Sequence, residues 1–387
     1  MTGFLKSCCP YFADRSDGGR LCGEFTDTEA GDCMEETTPT PSAGSSRDVI
    51  WAPGSGSRGL LPAGMNFSTQ VAISDQIESL EVAEMVATVG AATPVSAIRD
   101  AAAKHGLISS GVLPDETGTI GGLFSDPREG PADPATGRFR DHVLGIEGVR
   151  GDGSPILSGG TVVKNVTGYD LIRLMGGALG ALGVITRLHL RLETAPACWK
   201  SLSFGFLDRP EDWSVLDQLR RMPFEPYLMS IKPVQQQVQL LLSGTQRAVD
   251  EMASFIRETV GDMETTEFDP EQMISFHRKL RSRQGTALRI RVGWKHWRSI
   301  VTNEAGIWRA IFPSAGYGLL EGWQPGSDLD FLVEKVASIG GSVTAEDVEA
   351  CERSGIPLVH PCASDSLTRS LRSLWDRDGK IPWQGDR

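Results

Sequence analysis

Three glycine-rich segments carry the residue types that hold phosphates and flat ligands. The first is Pro53–Gly59, in which Gly54, Ser55, Gly56, Ser57 and Gly59 follow a short strand candidate, Asp48–Ala52. A backbone without Cβ atoms can bring several N–H groups round one anion. The spacing spells G-x-G-x-x-G, but the dinucleotide fingerprint needs a helix directly after it to meet the pyrophosphate. Leu60-Leu61-Pro62-Ala63-Gly64 comes next instead, and no helix propagates through Pro62 and Gly64. An anion-binding nest and an ordinary turn both remain open for this segment. The second is Gly118-Thr119-Ile120-Gly121-Gly122. The third is the long run Ser158–Thr186, with Lys164, Asn165, Gly168, Gly180, Gly183, Val184 and Ile185. Lys164 and Asn165 suit a contact to a bound ligand and suit a structural role equally.

Groups for acid–base or metal chemistry are sparse. The six histidines (His105, His142, His189, His277, His296 and His360) are isolated in sequence. A lone histidine reads as a surface or hydrogen-bonded core residue; His142, close to the glycine segments, is the least ordinary of them. No metal motif is present and no catalytic residue is assigned. Four of the seven cysteines, Cys8, Cys9, Cys22 and Cys33, crowd the first 33 residues, and their spacing fits no zinc or ferredoxin pattern. Reduced thiols are the expectation.

The elements that must position these segments follow from periodicity. Val82–Val89 reads as a strand. Thr93–Gly106 reads as a helix, with Thr93 at the N-cap, Pro94 at its first position, and Val95, Ile98 and Ala102 on one face. Ile185–Leu192 alternates, with Leu188, Leu190 and Leu192 opposite Arg187, His189 and Arg191, as a half-buried strand does. Past Pro196 the order becomes strand Ser201–Leu207, helix Glu211–Arg221, strands Pro226–Ile231 and Val234–Leu242, and helix Gln246–Val260 ended by Gly261. That is an α+β layer with helices on one face of an antiparallel sheet. A second round spans Ala287–Gly340, and Ser366–Trp375 is a short helix. No internal repeat is visible in the residues. The tryptophans between Trp294 and Trp323 read as core or interface anchors.

Composition bounds the function. The 44 glycines and 22 prolines point to many turns without a collagen period. A net charge of −12 removes the cationic surface that nucleic-acid binding draws on. No stretch reaches the roughly 18 apolar residues of a membrane span, and Met1–Phe12 lacks a signal-peptide core. A cytoplasmic location is expected, with any membrane association made through partner chains. Three regions are expected: a polar, poorly ordered extension over 1–46, a ligand-binding domain over 47–196, and an α+β domain over 197–387.

The third segment is specific enough to carry a resemblance. Lys164-Asn165-Val166-Thr167-Gly168-Tyr169-Asp170-Leu171, followed by Gly177-Ala178-Leu179-Gly180-Ala181-Leu182-Gly183-Val184-Ile185, resembles the FAD-binding E subunits of bacterial glycolate oxidases. These belong to the vanillyl-alcohol-oxidase, or PCMH-type, flavoprotein superfamily. Pro53–Gly59, Val89–Pro94, Gly118–Gly122 and Arg140-Asp141-His142-Val143-Leu144-Gly145 fall into the family's order. Ser125-Asp126-Pro127-Arg128-Glu129 departs from it, because the family has small residues there.

The resemblance implies a PCMH-type FAD-binding domain of two α+β subdomains, followed by a smaller α+β cap. Backbone N–H groups of Gly54–Gly59 and Gly118–Gly122 would hold the pyrophosphate. Gly180, Gly183 and Val184 would touch the ribityl and adenine parts, so that tryptophan at Gly121 or Gly183 would strike cofactor before core. FAD would be non-covalent, because Ser57 stands where tethering relatives carry a histidine. The implied function is a flavin subunit of a 2-hydroxyacid dehydrogenase complex that passes electrons from a catalytic flavin subunit to an iron–sulfur subunit. Apolar patches for those partners are expected in the Trp-rich domain. An autonomous hydroxyacid oxidoreductase and a flavin-free assembly scaffold are the alternatives.

Overall fold

The computed structural model describes residues 50–51, 69–109, 111, 118–126, 128, 130–161, 170–282, 287–301, 305–346, 348–356 and 366–376. The extension over 1–46, the first glycine segment, and Lys164, Asn165 and Gly168 lie outside the described residues. On either side of the first glycine segment, β1 (Ile50–Trp51) and β2 (Thr69–Gln70) pair in parallel.

A five-stranded antiparallel sheet forms the first layer. Its strands are β3 (Ile77–Glu81), β4 (Val86–Gly90), β6 (Val143–Val149), β7 (Pro155–Gly159) and β8 (Val184–Arg191), in the order β3-β4-β8-β6-β7. The central β8 follows its alternation: Leu188 and Leu190 are buried, while Arg187 pairs with Glu78 at 2.6 Å and Glu147 at 2.7 Å. Helix α1 (Val95–Ala103) buries Val95, Ile98 and Ala102, the face expected from spacing. Its cap differs from expectation. Pro94 is the N-cap residue, and the Thr93 hydroxyl donates to the Gln76 carbonyl at 2.9 Å. The Gln76 carbonyl, which also accepts from the Gly90 N–H at 3.0 Å, takes the buried hydroxyl across the turn, so Thr93 is not the cap of its own helix. The short strands β5 (Leu107–Ile108) and β9 (Glu193–Thr194) pair antiparallel and close this layer.

The second layer is an eight-stranded sheet with an internal symmetry. Its first half runs β10 (Cys198–Gly205), α5 (Pro210–Leu219), β11 (Leu228–Lys232), β12 (Gln237–Gly244), α6 (Gln246–Val260) and β13 (Thr265–Phe268). After α7 (Pro270–Ser282) the second half runs β14 (Leu288–Arg291), α8 (Trp297–Val301), β15 (Ile307–Phe312), β16 (Tyr317–Glu321), α9 (Ser327–Ser338) and β17 (Ser342–Ala345). Both halves are βαββαβ units, the split-βαβ arrangement. The strand order β13-β10-β12-β11-β15-β16-β14-β17 is its own mirror, with β11 and β15 meeting at the centre at Ile231 and Ile311. The second round expected over Ala287–Gly340 is the second of these halves, and the two share no visible sequence repeat because packing needs only matching apolar periodicity, not matching side chains.

One face of this sheet is apolar. Leu202, Phe204, Ile231, Leu240, Leu288, Ile290 and Leu320 bury against α5, α6, α8 and α9. Trp297 and Trp308 meet edge-on at 5.7 Å, and a Cβ at Gly318 would lie 2.9 Å from the Trp297 ring. Trp297, Trp308 and Trp323 are all buried. These rings are core anchors, as the sequence suggested, and supply the volume that joins α8 and α9 to the sheet. The last helix, α11 (Ser366–Trp375), returns to the first layer, where Leu371 and Trp375 pack on its core.

Candidate functional site

The second glycine segment folds as a turn and a one-and-a-half-turn helix, α2 (Ile120–Ser125). Thr119 is its N-cap, and its hydroxyl accepts from the Gly122 N–H at 3.1 Å. The Ile120 N–H donates to the Thr93 carbonyl at 2.9 Å, and the Gly121 N–H to the Ala91 carbonyl at 2.8 Å. Three of the N–H groups expected to face a pyrophosphate are thus taken by the chain itself. Among the described residues nothing accepts from the N–H groups of Gly118 and Thr119. These two remain available to an anion.

The glycines divide by what lies in front of them. A Cβ at Gly121 would sit 2.8 Å from the Ala91 side chain and 2.9 Å from its carbonyl oxygen. A Cβ at Gly183 would sit 2.7 Å from Ile156 and 2.8 Å from the Val149 carbonyl oxygen. At both positions the close approach is to the chain's own backbone, so bulk there strikes the core first, contrary to expectation. Gly160 and Gly180 have nothing within 4 Å of a Cβ position, and Gly180 takes φ +76°. Among the described residues these two glycines leave backbone surface that a ligand could approach closely. Ile120 is fully buried in the core behind the loop, Ile185 is largely buried, and Val184 is half-buried.

The loop preceding β8 is pinned from outside. Arg372 on α11 donates to the Ala181 carbonyl at 3.3 Å and pairs with Asp376, also at 3.3 Å. Asp376 is sealed against Gly151, where any Cβ would overlap its carboxylate. The segment Ala181–Ile185 therefore depends on a helix almost two hundred residues further along the chain.

The departure at Ser125–Glu129 also has a structural reason. Asp126, the C-cap of α2, binds Arg128 at 2.7 Å, and Arg128 reaches Glu346 at 3.4 Å and donates to the Glu346 carbonyl. Glu346 in turn accepts from Arg289, whose side chain is 3% exposed and lies 3.9 Å over the Tyr317 ring. This buried chain of charges ties the glycine-loop helix to the second sheet. His142 is structural as well. Its Nε2 meets the Thr136 carbonyl at 2.6 Å, which makes Nε2 the protonated nitrogen, and its Nδ1 accepts from Arg191 at 3.3 Å. It thus fastens α3 (Asp133–Thr136) to the first sheet.

The other face of the eight-stranded sheet carries buried polar groups between two small apolar clusters, one around Leu228 and Leu241 and one around Phe312 and Leu319. Ser230, Lys232, Gln239, Arg289 and Tyr317 lie on it, with α7 laid across. The Lys232 Nζ sits 3.5 Å over the Phe276 ring. Burial, with Arg309 nearby, pushes this amine down to about 8. His277 is buried, and both its ring nitrogens lack a partner. Burial, with Lys232 adding to it, holds this histidine well below its usual range. Neither Lys232 nor His277 stood out in the sequence. A hydrophobic run broken by one lysine, Leu228-Met229-Ser230-Ile231-Lys232, is the signal that was there to find. Among the described residues no group of three or more His, Cys, Asp or Glu is placed to hold a metal ion, and no helix is long and apolar enough to cross a membrane.

Comparison with known proteins agrees with this geometry. Residues 43–157 match the FAD binding domain family. The chain is 37% identical over 128 residues to glycolate oxidase subunit GlcE of Escherichia coli, covering 33% of this chain and 37% of that protein. It is 38% identical over 107 residues to D-lactate dehydrogenase of Archaeoglobus fulgidus, covering 28% of this chain and 24% of that one. The matched segments thus span 24% to 37% of these relatives. In structure it is similar to alkyldihydroxyacetonephosphate synthase, with a TM-score of 0.64 at 13% identity over 86% of this chain and 71% of the other. The fold is the PCMH-type FAD-binding fold, of α+β class.

Proposed function

From a chain whose residues 43–157 carry an FAD-binding domain, we infer an FAD-dependent oxidoreductase that works as one subunit of a 2-hydroxyacid dehydrogenase complex. The observation that carries this reading is the 128-residue likeness to a glycolate oxidase subunit. When bound, FAD supplies the two-electron acceptor, and the protein supplies binding and orientation. The Gly54–Gly59 segment and the free N–H groups of Gly118 and Thr119 take the pyrophosphate. Gly122, Lys164, Asn165, Gly168, Gly180, Gly183, Val184 and Ile185 line the rest of the cofactor. Electrons pass from a catalytic flavin subunit to an iron–sulfur subunit through this chain. Its place is in the cytoplasm, at a membrane only through its partners. The domains act as 47–196 for cofactor and 197–387 for partner or substrate.

Purified chain should be yellow. Acid precipitation should leave the colour in the supernatant, because Ser57 offers no histidine nitrogen for a tether. Yellow in the pellet refutes non-covalent binding. A colourless chain that stays colourless with added FAD supports the scaffold alternative instead.

The likeness to a D-lactate dehydrogenase favours a second reading, turnover by this chain alone. Removing hydride from an α-carbon needs a positioned base for the hydroxyl proton. Dye reduction by the flavin-loaded chain with glycolate, D-lactate and L-lactate separates the two. The expected result is negligible turnover alone and turnover when partner subunits are co-expressed. Robust single-chain activity on any of the three replaces the subunit reading with the autonomous one.

A further inference from the structure

The face of the eight-stranded sheet under α7 holds a set of buried groups with no partner. Among the described residues Lys232, 7% exposed, has no hydrogen-bond partner or counter-ion, and its ammonium lies over the Phe276 ring. Arg309 approaches the same ring at 6.0 Å; one end of its guanidinium pairs with Glu321, and its Nε is buried without a partner. The Ser230 hydroxyl, two residues from Lys232 on the same strand face, is fully buried and unpaired. Both nitrogens of His277 are unpaired, with its ring 5.1 Å from Phe276 and 5.3 Å from Phe312. The strand carrying Ser230 and Lys232 pairs with that of Phe312 at Ile231 and Ile311, so these groups converge on one patch.

Native interiors leave few buried polar atoms unsatisfied, and a concentration of them needs an occupant. The set is rich in donors: an ammonium, a guanidinium N–H, a hydroxyl and an imidazole N–H. Two cations share it, and only Arg309 has a carboxylate. The walls are the aromatic rings of Phe276 and Phe312. We propose that Lys232, Arg309, Ser230 and His277 form a buried site for a small carboxylate anion. Lys232 and the Arg309 Nε take the two carboxylate oxygens, and Ser230 and His277 complete the shell. A planar two-oxygen anion can accept from two separate donors at once near the Phe276 ring, and a spherical halide cannot. The site goes beyond the flavin reading and does not depend on it.

The test uses the full-length chain, with or without flavin. Calorimetric titration with acetate and with glycolate should give saturable binding, and chloride should neither bind nor compete. Lys232→Met should raise the acetate Kd about tenfold or more, the loss expected for removing a charged hydrogen-bond partner. Ser230→Ala should raise it less. A second measurement needs no variant. An amine-reactive N-hydroxysuccinimide ester, read by peptide mass spectrometry, should label Lys232 more slowly in acetate, with exposed Lys104 unchanged. Unaltered Lys232 labelling in saturating acetate overturns the proposal, as does a folded Lys232→Met chain that binds acetate normally. Equal competition by chloride overturns the carboxylate assignment. If Lys232→Met does not fold, the labelling result on the native chain decides.

Discussion

Glu346→Gln is expected to lower the unfolding free energy by about 3–5 kcal/mol, the cost of stripping one partner from a buried ion pair. Arg289 is 3% exposed and Arg128 17%, and both direct N–H groups at the Glu346 carboxylate. A neutral amide keeps the shape and one acceptor but leaves two guanidinium groups facing each other without the charge between them. Denaturant titration measures the loss. The control is Glu251→Gln, which breaks an exposed helical pair with Arg247 (65% and 88% exposed) and should change stability by less than about 0.5 kcal/mol. Equal, small effects from both substitutions would show that the Asp126–Arg128–Glu346–Arg289 chain does not hold the two layers together.

Gly121→Trp is expected to cost about 3 kcal/mol or more and to lose flavin together with the fold. The first added carbon already lies inside contact distance of the Ala91 backbone, which a rotamer change cannot relieve. Gly180→Ala is the informative companion. It meets open space, and its penalty is the roughly 1–2 kcal/mol of placing a side chain at positive φ. Thermal melting and flavin absorbance, read on the same samples, separate the cases. Gly121→Trp should fail in both, and Gly180→Ala should melt a few degrees lower with its flavin weakened. A Gly121→Trp chain that melts normally but is colourless would restore cofactor contact as the role of this glycine.

The sequence by itself determined many of the local elements and the cofactor class, although the expected strand Val82–Val89 is a turn over 82–85 followed by β4 (Val86–Gly90). Helix Gln246–Val260 with its terminal Gly261, the alternating strand before Leu192, and Ser366–Trp375 follow from apolar spacing and capping, which act within one or two turns of chain. The glycine segments and the Lys164–Ile185 run carried the resemblance because each is contiguous in the chain, and their contact with FAD is part of the proposal. Only the tertiary structure decided what each glycine approaches. Gly121 and Gly180 look alike in sequence, yet one faces Ala91 and the other open space, because the neighbour comes from a different strand. The same holds for the Asp126–Arg128–Glu346–Arg289 chain and the patch around Lys232 and His277. Their members lie up to about two hundred residues apart, and none of the spacings between them has a local period. The mirrored strand order of the two βαββαβ halves was hidden for a related reason. Apolar periodicity fixes which face of a strand is buried, while strand order is set by pairing and helix packing between segments distant in the chain.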